Sequence, residues 1–145
     1  MDEISIKTMN LTILLIWLVI LSIEDIKHKK VSLFFILVGG LLLFTFSIVV
    51  GELSIRDRMG GIMIGGIIIL ISYITGGQIG MGDGFILATI GLSYGFLMNL
   101  SLLIYGLILS SMVSVILLTF KKAKKKSTIP FIPFLLAGYL GVLIL

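Results

Sequence analysis

GFILATIGLSYGFLMNLSLLIYGLILSSMVSVILLTF, residues 84–120, runs for 37 positions without a charged side chain. As a single helix it would measure roughly 56 Å at 1.5 Å per residue, nearly twice a hydrocarbon core of about 30 Å. The stretch has to fold as a hairpin, and its only polar turn candidate is Met98, Asn99, Leu100 and Ser101. Directly before it stand Gly80, Met81, Gly82, Asp83 and Gly84. A carboxylate bordering so long an apolar run is costly unless it faces a wet cavity or a partner, which marks Asp83 as a functional candidate. Gly80, Gly82 and Gly84 let the backbone bend tightly and approach a ligand closely. A plain loop with an aspartate capping the next helix would read the same way.

Composition places the rest of the chain in the same environment. Of 145 residues, 59% are hydrophobic and 12% charged, far from the balance of a soluble domain. The fold class expected is all-α, a polytopic membrane helix bundle of about six transmembrane helices forming one domain over residues 1–145. The absence of cysteine excludes disulfides, thiol nucleophiles and cysteine zinc sites, and a single histidine, His28, cannot build a histidine-rich metal site. No cofactor or metal is expected. The lysines between Lys121 and Lys126 read as a topology anchor near anionic headgroups, not as a nucleic-acid patch, because no aromatic side chains interleave with them.

Working outward from the hairpin, the apolar runs are 11–23, 31–50 and 59–75 before it and 130–145 after it. The first is a retained helix, since the residues before it are acidic and no small-residue cleavage site follows. Residues 51–58 read as a surface loop or interfacial turn, and the last run as a helix opened by proline. With six spans, eight of the 11 basic residues fall on one face, which the positive-inside rule makes cytoplasmic. Both termini then point outward. Asp25, ending the first span, and Asp83, beginning the fourth, emerge together on the cytoplasmic side.

The hairpin's first limb, 84–98, would be only about 22 Å long, so Asp83 lies below the membrane surface and a hydrated cleft is expected beside residues 75–83. Gly61 with Gly65, and Gly91 with Gly95, have the four-residue spacing that allows close helix contact. Two aspartates on one membrane face suggest acid/base chemistry, because a close pair shares a proton and titrates as a unit. In peptide hydrolysis the ionised partner takes a proton from water, while the protonated one polarises the scissile carbonyl and later helps the amine leave. Asp25 has another reading, as an interfacial carboxylate beside Glu24 balanced by Lys27 or Lys29.

Three segments together resemble the type IV prepilin peptidases, polytopic aspartic proteases of the Gly x Gly Asp kind. Asp25 to Val31, reading DIKHKKV, looks like the family's first aspartate with an aliphatic residue six positions on. Gly80 to Asp83, continuing into Leu87, Ala88 and Gly91, looks like the second-aspartate motif. Ile129 to Gly138, IPFIPFLLAG, resembles the segment that opens the last helix. Ser32 and Leu33 stand where the family commonly has proline and asparagine, and Phe85 where lysine often follows the second aspartate. The missing Cys x x Cys motifs make the chain similar to short peptidase-only forms, those of Tad-type pilus systems or archaeal preflagellin peptidases.

The resemblance implies an aspartic endopeptidase with Asp25 and Asp83 catalytic. Gly80, Gly82, Gly84, Glu24, Pro130, Phe131 and Pro133 are candidates for binding substrate or shaping the site. The implied partners are membrane lipid and a prepilin or pilin-like protein whose short basic leader is cut at the cytoplasmic face of the inner membrane. Glu24 and the aspartates would offset that leader's charge against the lysine loops. Two other readings remain open: a non-catalytic membrane subunit of a pilus or secretion machine, and a small proton-coupled carrier. No internal repeat between the halves favours the carrier.

Overall fold

The computed structural model describes residues 2–51, 53–120 and 128–144. Five α-helices account for nearly all of them, α1 Glu3–His28, α2 Leu33–Val50, α3 Ile55–Ile74, α4 Met81–Thr119 and α5 Ile132–Ile144, with no strand among the described residues. The first four are long and apolar enough to cross a membrane; α5, with 13 residues, is shorter. Large apolar side chains such as Leu37, Leu41, Met63 and Leu97 face outward, while the core is built from residues such as Leu14, Leu18, Leu43, Ile90 and Leu135. Apolar both inside and out is the pattern of a bundle immersed in lipid. The lysine cluster within 121–126 lies outside the described residues.

The expected hairpin is present, but its turn is not at Met98 to Ser101. α4 is two helical limbs joined across a kink, and the single non-helical residue is Gly95, at φ 83 and ψ −176. That conformation is open essentially to glycine alone. Beyond Gly95 the chain doubles back, so that limb 96–119 returns alongside limb 81–94. Asn99, expected to be a polar loop residue, is fully buried, and its Nδ2 donates to the carbonyls of Leu87 at 2.8 Å and of Gly61 at 2.9 Å. Five helices thus make six rods, in accord with the count expected from the apolar runs.

The carbonyls left open where the first limb breaks are satisfied by side chains from α2 and α3. Arg58 Nη1 donates to Leu92 O at 2.7 Å and to Ser47 Oγ at 2.9 Å, and Ser47 Oγ donates to Ser93 O. A guanidinium at a helix C-terminus also complements the negative end of the dipole. Arg58 was expected in a surface loop; helix α3 instead begins at Ile55, capped by Ser54, whose Oγ accepts from the Asp57 amide at 3.2 Å. The small-residue spacing has a partly different purpose from the one expected. Gly61 packs backbone to backbone on Gly91, and Gly65 on Ala88, but Gly95 makes the turn.

Helix α1 closes in a left-handed cap at Lys29, φ 52, whose amide donates to Asp25 O at 2.8 Å. The cap reverses the chain across one end of the bundle. At that same end α3 stops at Thr75, and Gly76 and Gly77, both with positive φ, turn the chain toward Gly80 and the start of α4.

Candidate functional site

Asp25 lies in the last turns of α1 and is 7% exposed. Its Oδ2 accepts from the amide of Ile132, the first residue of α5, at 3.1 Å, across 107 positions of chain. Asp83 lies in the first turn of α4, where its own amide donates to Gly80 O at 3.2 Å. A Cβ at Gly80 would come 3.0 Å from Asp83 Oδ2, so a side chain there would crowd the carboxylate.

Both aspartates line one cavity of about 550 Å³, and their charges lie within electrostatic reach of each other. Its floor comes from the α3–α4 connection and the first residues of α4, Gln78 to Gly82, which is where a cleft was expected. Ser72 Oγ supports that connection by donating to Ile79 O. Lys29, Lys30 and Val31 border the cavity from the α1–α2 reversal, and Thr128 to Phe131 from the approach to α5. The volume is that of a pocket able to hold several residues' worth of side chain or an extended peptide segment. Among the described residues no cluster of three or more histidine, aspartate or glutamate side chains forms, so the two carboxylates stand as a pair.

Of the residues singled out from sequence, Asp25, Asp83, Gly80, Gly82, Pro130 and Phe131 come together around this cavity. Three do not line it. Gly84 is buried against α3, where a Cβ would meet Ile69 Cγ1 at 2.5 Å, so its smallness serves helix packing. Pro133 lies in the first turn of α5. Glu24 is half-buried, with Oε2 enclosed and without a hydrogen-bond partner among the described residues. The helix turns about 100° between neighbouring residues, which carries Glu24 away from the side that Asp25 occupies.

Leu103, Leu107 and Ser110, on the returning limb of α4, complete the lining and were not singled out beforehand. Equal steps from Gly95 set residue 107 opposite Asp83, a signal that the turn expected at Met98 to Ser101 had displaced. The Ile132 amide carried no such signal, because a backbone donor has no residue type.

A bundle of apolar helices holding two carboxylates over a peptide-sized cavity defines a multi-pass membrane protein with a paired-aspartate site. The type IV leader peptidase family model matches residues 12–120, which include both aspartates and the α4 hairpin, and the chain belongs to that family. It is a family of proteases. No curated protein and no solved structure matches the chain.

Proposed function

We propose that the chain is a membrane-embedded aspartic endopeptidase that removes the short leader from prepilin or pilin-like precursors. The observation that carries this reading is the convergence of Asp25 and Asp83, remote in sequence, on one cavity. Such a pair can activate water and protonate the scissile amide without a cofactor or covalent intermediate. The site faces the cytoplasm of the inner membrane in this reading, supported by Lys29 and Lys30 at the cavity's edge and by the lysine-rich 121–126 segment. The whole of 1–145 acts as one peptidase domain, and N-methylation of the trimmed product is not part of its activity.

Asp25 also supports a second reading. Its bond to the Ile132 amide ties α1 to α5, as a purely structural aspartate in a non-catalytic assembly subunit would. Asparagine separates the two, since its side-chain oxygen still accepts from that amide but cannot act as a base. Co-expression with a pilin-like precursor should show leader removal by the wild type and its loss in both Asp25→Asn and Asp83→Asn, each still inserted and folded. Cleavage persisting in both variants rejects the peptidase assignment.

A further inference from the structure

The two carboxylates differ in what surrounds them. Asp25 accepts a backbone hydrogen bond from Ile132 at 3.1 Å. That amide stands at the start of α5, the positive end of its dipole. A donor of this kind works against the cost of burying the carboxylate in its ionised form. The Asp83 carboxylate, half-buried across the same cavity, receives no hydrogen bond from any described residue. Lys29 and Lys30 are the charged groups that the α1–α2 reversal brings to the cavity; α3 presents only Ile68 to it, and α2 and α5 contain no charged residue. Neighbouring like charges resist double ionisation, so the pair retains one proton.

We propose that the opening amide of α5, that of Ile132, decides which aspartate keeps that proton, making Asp25 the ionised base and Asp83 the protonated acid. This rests on the peptidase reading and deepens it. It also gives a positioning role to a segment outside the 12–120 family match. In the first step water adds to the scissile carbonyl carbon: its proton passes to Asp25, and the Asp83 proton passes to the carbonyl oxygen. In the second step the carbon–nitrogen bond breaks. Asp25 returns its proton to the departing amine, and a hydroxyl of the tetrahedral intermediate returns one to Asp83, restoring both groups.

Ile132→Pro tests this, because proline is tolerated at the first helical position and removes the donating N–H, although it also replaces a fully buried isoleucine side chain. Ile132→Val keeps the N–H and serves as the conservative control. With kcat/KM for a pilin-like precursor measured against pH, Ile132→Pro should move the acid limb upward by about one pH unit with KM within about twofold of wild type. Ile132→Val should superimpose on wild type. An acid limb unmoved in Ile132→Pro overturns the proposal.

Should Ile132→Pro not fold, wild-type protein can be treated separately with an epoxide, which alkylates ionised carboxylates, and a diazo ester, which esterifies protonated ones. Mass spectrometry should find the epoxide on Asp25 and the diazo adduct on Asp83, and the opposite or an indiscriminate pattern overturns it. Failure of the underlying peptidase reading would be seen separately, as leader removal that survives Asp25→Asn and Asp83→Asn.

Discussion

Asn99 donates to the carbonyl of Leu87 at 2.8 Å, twelve positions back and on the other limb of α4. In a straight helix those residues would stand about 18 Å apart, so the bond exists only because Gly95 folds α4 upon itself. Asn99→Leu keeps the bulk and removes both donors; it should cost about 2 kcal/mol in thermal unfolding in detergent. Asn99→Asp sets a carboxylate against two carbonyls and should be worse than leucine. The reverse order would mean that the amide is not what holds the limbs together.

Gly95→Ala is the sharper test of the turn. Its φ of 83 with extended ψ strains any other residue, and a Cβ would approach Leu53 Cδ2 at 2.8 Å. A loss of roughly 1–3 kcal/mol is expected. Gly66, where a Cβ meets nothing within 4 Å, is the control, and Gly66→Ala should leave the melting temperature unchanged or higher.

Arg58 supplies donors to Leu92 O, to Ser47 Oγ and, at 3.3 Å, to Ser47 O, while lying over the Phe44 ring with 5.8 Å to its centroid. Arg58→Met should destabilise by about 2–3 kcal/mol, because several buried acceptors lose a charged donor. Arg58→Lys should recover only part of that, since a single ammonium cannot reproduce the fork. Equal stability of the two variants would show that the charge alone matters.

Lys29 and Lys30 border the aspartate cavity, whereas Glu24 does not. A basic leader therefore meets like charge at the cavity's edge. Lys29→Gln and Lys30→Gln should each raise kcat/KM for a basic leader by about two- to fivefold, the range of exposed charge pairs, and hardly change it for a neutral leader. Added salt should shrink the difference. Glu24→Gln should leave the ratio between the two leaders untouched, and a marked change in it would return Glu24 to the site.

Much of this was readable beforehand because it follows from length and charge. An uncharged run of 37 residues cannot cross a bilayer once, so a hairpin with Asp83 at one end followed directly, and parity of the spans brought Asp25 to the same end. The turn itself was misplaced, because polarity was used to find it. Asn99 is polar for the interior, where two carbonyls need a donor, and the break falls at a glycine whose backbone, not its solubility, permits the reversal. Arg58 was hidden for a similar reason: a cation near a span's end reads as a surface charge, and only the folded chain reveals carbonyls to receive it. Glu24 and Gly84 were grouped with the site through sequence adjacency, yet neighbours on a helix face different directions.

The bond from Ile132 to Asp25 has a bearing on how the protein is made. A polypeptide leaving the ribosome presents Asp25 more than a hundred residues before the amide that holds it, so the first four helices can insert and pair while Asp25 still lacks that partner. On the proposed peptidase reading, competence arrives with the closing helix, and a nascent molecule without it would sit in the bilayer unable to nick the proteins inserting beside it.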